Sequence, residues 1–301
     1  MPQGRLKNLA LFFRRPCFIF ITLLFENRYN SFILFSRKTM SSHRINHEPV
    51  FMLASAPWRE SSLWLEVYSR RYGRVALLAR SARKRMSELR GVLVPFVPMS
   101  ASWYGSQELK TLHRAEWLGG WPQPQGRALF SGLYVNELML KLTAREDPMP
   151  ELYDIFAETM QTLCREPNHI AALRRFEWQL LLHSGYALDL QHDVHGNEID
   201  PEAQYWLRPE EALLPLAEAN GLGNQQQSGI AVDGSSLIQL RQGEFADGVS
   251  LQQALKINRL LIDFRIPEGI KSRQVLQQLQ QFDLDPMSFR CHEAAEHSQA
   301  V

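Results

Sequence analysis

The feature that most constrains the fold is a change of hydrophobic period at Gly119-Gly120-Trp121-Pro122. Before it, apolar residues alternate: Leu63, Leu65 and Val67 stand between Trp64, Glu66 and Tyr68, and Val75, Leu77 and Ala79 repeat the pattern. Period two is that of strands with a buried face. Strands are expected from Val50 onward, from Arg74 to Arg80, from Val92 to Tyr104 and from Glu108 to Leu118, with turns at Gly73 and Tyr104-Gly105-Ser106. Five short strands without an intervening helix fit a small closed barrel of the OB type, or an SH3-like one with the same signature.

After the break, Phe130, Leu133, Tyr134, Leu138 and Leu142 form one helical stripe. Leu152, Ile155, Phe156, Met160 and Leu163 form a second, opened by Pro150, and a third helix runs from about Ile170 to Ser184, with Asn168 as N-cap and Gly185 as stop. These should pack as a bundle. Residues 187–249 read as irregular, with Gly221-x-Gly223 as a loop. A capping box at Ser250 to Gln253 opens a helix through Ile262, and a last helix spans Ser272 to Phe282, with a frayed tail after Phe289. The fold class is α+β: an OB-like barrel at 47–123, then a mainly helical domain at 124–301.

Residues 1–46 fit neither part. Their apolar run, Cys17 to Phe25, is shorter than the roughly 20 residues that span a bilayer, and no small-residue cleavage pattern follows it. A signal or anchor, a structured arm and translated upstream sequence compete. The third is favoured, because Met40 is a natural start, so the leader stands outside the fold.

Charge is where function becomes readable. The net +1 hides segments of +7 (1–46), +5 (47–123) and −11 (124–301). Within Tyr68 to Pro98, Arg70, Arg71, Arg74, Arg80, Arg83, Lys84, Arg85 and Arg90 meet one acid, Glu88. A sheet with such a rim points to a polyanion partner, and these eight are the candidate DNA-binding residues. Trp64, Tyr68 or Tyr72 could stack on unpaired bases.

Catalytic and cofactor signals are lacking: the sequence has no nucleophile elbow, HExxH, Walker loop or dinucleotide fingerprint. Cys17, Cys164 and Cys291 form no CxxC pair, which argues for a reducing cytosol and against a thiolate zinc site. His192 and His195 beside Asp189 and Asp193 find no second ligand pair. The competing functions are a nuclease or hydrolase using Asp189, Asp193, Glu198 and Asp200 with a divalent ion, and a bridging adaptor that does not itself bind DNA.

Four motifs in order, R-x-x-G-R-V-A-L-L-A-R-S-A-R-K-R, L-R-G-V-L-V-P-F-V-P, L-F-S-G-L-Y-V-N-E-L and L-R-R-F-E-W-Q-L-L-L-H-S-G-Y, resemble the bacterial recombination mediator family RecO over about Glu48 to Tyr186. The resemblance implies an N-terminal OB fold, a helical domain and a cytoplasmic, non-enzymatic role in recombinational DNA repair, without a membrane. It also implies binding of single- and double-stranded DNA, annealing, and work with RecR to load RecA on DNA coated by single-stranded DNA-binding protein. That protein's acidic, apolar C-terminal tail would need an apolar groove with a fixed arginine, for which Arg127, Arg145, Arg174 and Arg175 are the candidates. Many family members carry a four-cysteine zinc site just after the G-Y. Here His192-x-x-His195 stands at the first pair and the second is missing, so zinc is not carried over and no cofactor is expected.

Overall fold

The computed structural model describes residues 44–166, 168–219 and 229–284. Most of the leader, the Gly221-x-Gly223 loop and the tail after Phe289 lie outside the described residues.

Five strands, β1 (Arg44–Trp58), β2 (Ser62–Ser69), β3 (Gly73–Ala79), β4 (Pro98–Tyr104) and β5 (Leu109–Trp117), close into a barrel in the order β1-β2-β3-β5-β4. All neighbours are antiparallel except β3 and β5. Strand β1 pairs with both β2 and β4, and its ladder to β2 shifts register between Met52 and Ala54, the kind of bulge that bends a strand round a barrel. It begins at Arg44, inside the stretch that the sequence reading set aside. The strand expected from Val92 begins only at Pro98. Glu88–Gly91 is a 3-10 turn, and Pro95 and Pro98 each lack the N–H that a ladder needs, so 92–97 is loop and Pro98 takes the first strand position.

The helical part comprises α1 (Arg127–Leu142), α2 (Pro150–Arg165), α3 (Ile170–His183), α4 (Leu216–Ala219), α5 (Gly234–Gln242), α6 (Gly248–Arg265) and α7 (Lys271–Leu284). The residue before α3 is His169, not Asn168, and it gives no side-chain cap. The capping box of α6 lies three residues earlier than the sequence suggested: Asp247 Oδ1 accepts from Ser250 N at 2.7 Å. The supposedly irregular segment holds a small antiparallel sheet, β6 (Gln204–Leu207), β7 (Leu214–Pro215) and β8 (Ile230–Asp233), in the order β7-β6-β8. Strands of two to four residues are too short to show a period.

Both faces of the β1–β2 ribbon are buried. Val50, Met52, Leu65, Val67, Val75 and Leu77 fill the barrel with Met99 and Trp103. The opposite set, Phe51, Leu53 and Tyr68, enters the helical core beside Tyr153, Phe156 and Phe176. Phe51 meets Phe156 edge-on with centroids 5.2 Å apart. Burial of each such side chain contributes on the order of 1.5–3 kcal/mol. Asn136 of α1 donates to the carbonyls of Met52 and Leu53 at 3.3 and 3.1 Å, satisfying backbone at the bulge. At Gly73, φ is 64° and a Cβ would fall 2.3 Å from the Asp147 carbonyl oxygen. Glycine there lets the loop between α1 and α2 lie directly on the barrel.

Candidate nucleic-acid interface and peptide pocket

The eight basic residues of the rim fall into two groups at opposite ends of β3. At the β2–β3 turn the cations are engaged within the protein. Arg70 forks onto Asp154 with Nε and Nη2 each 2.9 Å from a carboxylate oxygen, which holds that carboxyl below its usual range. Arg71 forks onto Glu48, a carboxylate with 1% exposure that also accepts from Ser69 Oγ at 2.7 Å. Arg74 donates to the Leu140 carbonyl at 2.7 Å, its Nε lies 4.0 Å from Glu66, and burial lowers its pKa.

At the far end, the chain from Arg80 to Arg90 is a loop that ends in the 3-10 turn. Arg83 is laid against the β1–β2 turn: its backbone N–H donates to Ser61 O at 2.9 Å, and its guanidinium reaches the carbonyls of Arg59 and Glu60 at 3.4 Å. Arg80, Lys84, Arg85 and Arg90 are exposed and have no side-chain hydrogen bond or ion pair among the described residues. At the end of β1, next to the turn that Arg83 contacts, Trp58 is 40% exposed. The sequence reading missed Trp58, whose place follows from its position next to the turn that Arg83 grips. Of the aromatics it did name, Tyr68 is fully buried in the helical core and cannot meet a base. Trp64 lies under the Arg145 guanidinium at 5.8 Å, and Tyr72 is edge-on to Trp103.

A second feature opens between α1, α3, α6 and α7, a cavity of about 440 Å³. Phe130, Leu173, Leu255 and Leu276 line it, with Arg127, Arg174, Arg259 and Arg273 around them. The one carboxylate among its described lining residues, Glu177, is already occupied by Arg174 Nη2 (2.8 Å), the Tyr134 hydroxyl (2.8 Å) and Asn258 Nδ2 (3.0 Å). Burial, with the nearby Glu177 charge, pushes the Tyr134 hydroxyl well above the ordinary phenol range, so it stays a donor. Arg174 Nε and His169 Nδ1 are buried and unpartnered among the described residues. Arg273 bonds Asp263 at 2.6 Å and lies 5.3 Å above the Tyr134 ring.

Of the four arginines chosen from sequence, the pocket gathers Arg127 and Arg174. Arg175 lies elsewhere, donating to the Gly243 carbonyl at 3.1 Å. Arg145 clamps the barrel, bound to buried Glu66 and to Glu108. Arg259 and Arg273 were missed. Their signal is the pairing of Leu255 with Arg259 and of Arg273 with Leu276 at helical spacing.

His192 and His195 do not converge. His192 Nδ1 contacts Asp189 at 3.0 Å, and His195 Nε2 contacts Glu218 at 3.0 Å, which raises the His195 pKa. Three of the acidic candidates are taken up in local turns, Asp189, Asp193 and Asp200 each accepting a backbone N–H within two residues, while Glu198 lies in an isolated backbone bridge to His192. Among the described residues no group of three or more His, Cys, Asp or Glu side chains could hold a metal ion. Nor is any described helix long and apolar enough to cross a membrane.

Fold and surface together define an α+β protein in which an OB-like barrel with a basic loop is joined to a helical domain with an arginine-lined pocket. Residues 40–121 match the family model described as Recombination protein O N terminal, and 123–274 match Recombination protein O C terminal. The chain belongs to the RecO family of DNA repair proteins. It is 68% identical over 244 residues to the DNA repair protein RecO of Neisseria gonorrhoeae (strain NCCP11945), covering 81% of this chain and 98% of that protein. Identity to the protein of the same name from Aromatoleum aromaticum is 42% over 241 residues, 79% of this chain and 98% of the relative.

Proposed function

We propose that this protein is a non-enzymatic, cytoplasmic DNA-binding and strand-annealing factor of recombinational repair. In this reading it binds single- and double-stranded DNA, receives the C-terminal tail of single-stranded DNA-binding protein, and works with a RecR-type mediator so that RecA is loaded indirectly. The observation that carries it is the loop at one end of the barrel, where Arg80, Lys84, Arg85 and Arg90 are exposed and unpaired among the described residues, with exposed Trp58 at the same end of the barrel. Annealing forms no covalent bond. Two phosphate backbones repel each other, and a surface that neutralises both lets pairing proceed, at the cost of salt sensitivity. Arg70, Arg71 and Arg74 already have partners, so they hold the barrel in shape and contribute less to phosphate binding.

The arginine-lined cavity supports the tail-docking half of the reading. Carboxylates of an acidic peptide would meet Arg127, Arg174, Arg259 or Arg273 while its apolar side chains enter between Leu173 and Leu276. Two assays test the two halves. Annealing of complementary oligonucleotides should fall severalfold when Arg80, Lys84, Arg85 and Arg90 are changed together to Ala. A labelled tail peptide should bind severalfold more weakly to Arg259→Glu, with annealing of naked strands intact. Unchanged annealing in the first variant would refute the loop, and unchanged peptide binding in the second would refute the pocket.

A further inference from the structure

A second cavity, of about 370 Å³, opens at the end of the barrel opposite the basic loop. Its walls come from the β2–β3 turn (Arg71, Tyr72), β4 (Trp103), the β4–β5 turn and strand start (Ser106, Lys110) and the loop between α1 and α2 (Glu146). The Tyr72 ring is half-buried, held edge-on by Trp103 with centroids 5.5 Å apart, and the Arg71 guanidinium lies 5.8 Å from its centre.

The wall from the loop is fixed in place. Glu146 has φ of 55°, a left-handed conformation uncommon for a non-glycine residue, and its N–H donates to Arg74 O at 2.9 Å. Next to it the Asp147 backbone sits where only glycine at position 73 leaves room.

Charge decides the class of ligand. Arg71 is matched by Glu48, and Lys110 is bound to Glu146. A phosphate entering here would have to displace a carboxylate from one of these cations, so the site suits a neutral group. An aromatic floor with a donor, Lys110, and an acceptor, Glu146, at its edge suits a flat heterocycle that carries both kinds of polar group. We propose that this cavity seats one unpaired nucleobase of a DNA single strand, stacked on Tyr72 with its polar edge toward Lys110 and Glu146. The inference rests on the DNA-binding reading above and adds to it a base site at the other end of the barrel. Strand β3, seven residues at about 3.3 Å each, separates the two ends, so a strand held at both would run the length of the barrel wall.

The test compares Tyr72→Ala, Tyr72→Phe and Ser106→Trp in the full chain, with oligothymidylate and a mixed-sequence duplex as probes. Ser106→Trp fills the mouth from an exposed turn and leaves the packing of Tyr72 on Trp103 in place. Stacking of one base is worth about 1–3 kcal/mol, so Tyr72→Ala and Ser106→Trp should each weaken oligothymidylate binding at least about fivefold. Tyr72→Phe should bind like wild type, duplex affinity should not move, and the salt slope should be unchanged because no phosphate contact is lost. In parallel, a 5-iodouracil oligonucleotide should photocrosslink to Tyr72. If both blocking variants bind oligothymidylate like wild type, or the crosslink maps only elsewhere, the base site is wrong while DNA binding through the loop stands. If wild type binds neither probe, the DNA-binding reading falls and the base site with it.

Discussion

Replacing Arg145 by Ala should cost stability rather than a binding contact. Glu66 is 1% exposed and lies on the outer side of β2, under the helical domain. Its Oε1 accepts from Arg145, and its Oε2 has no hydrogen-bond partner among the described residues, with Arg74 Nε 4.0 Å away. Removing one member of a buried ion pair costs about 3–5 kcal/mol because the other charge is left in a poor solvent. Arg74 remains and offsets part of this, and Glu108, the other partner of Arg145, is exposed and simply rehydrates. The expected loss is therefore near the lower end, about 3 kcal/mol, or a fall in Tm of roughly 6–12 °C for a chain of this size. Urea unfolding at fixed m-value measures it. The double variant Glu66→Leu, Arg145→Met should recover part of that loss and not all of it, because two apolar groups replace the pair together while the partly buried Arg74 loses its nearby carboxylate. A loss below about 1 kcal/mol for Arg145→Ala would mean that Glu66 is not held by this clamp, and the account of how barrel and helices join would fail.

Further outcomes follow from single contacts. Glu137 accepts the N–H groups of Lys271 and Ser272 at 2.8 Å at the start of α7. Burial alone would raise its pKa, but the backbone N–H groups of Ser272 and Lys271 outweigh that and hold it low. A carboxyl depressed in the folded state stabilises above its unfolded pKa. The advantage of wild type over Glu137→Gln, about 1–2 kcal/mol, should thus be present above about pH 4.5 and vanish as the pH falls through the folded value; hydrogen exchange in α7 against pH checks it. Phe51→Ala, deep between barrel and helices, should cost about 3–5 kcal/mol in urea unfolding without changing the salt dependence of DNA binding. By NMR titration His195 should titrate above the ordinary histidine value, and Glu218→Gln should bring it back down.

Much of this fold was legible in the sequence, and the illegible parts share one cause. The alternation through Leu63 to Tyr68 gave β2 and the helical stripes gave α1 to α3, because each pattern needs only residues a few positions apart. What alternation does not reveal is what covers the second face: Tyr68 looked free to meet a base until α2 was laid over it. Arg70, Arg71 and Arg74 looked like their neighbours further along because their partners, Asp154, Glu48 and Leu140, lie 84, 23 and 66 positions away. The loop from Arg80 to Arg90 was readable for the opposite reason, since a run of cations with one acid has no local means of neutralisation. Arg259 and Arg273 reach the arginine-lined cavity only through the packing of α6 and α7 on α1 and α3.

The central claim is that the unpaired cations at the end of β3 hold DNA by its phosphates. Its most direct test is the salt dependence of DNA affinity for wild type and for the variant with Arg80, Lys84 and Arg85 all changed to Ala. The account predicts weaker binding to every sequence tried, and a log–log salt slope shallower by about 2 units, as roughly 0.7–0.9 per lost phosphate contact requires. A slope equal to that of wild type would contradict it and place the DNA on another face of the protein.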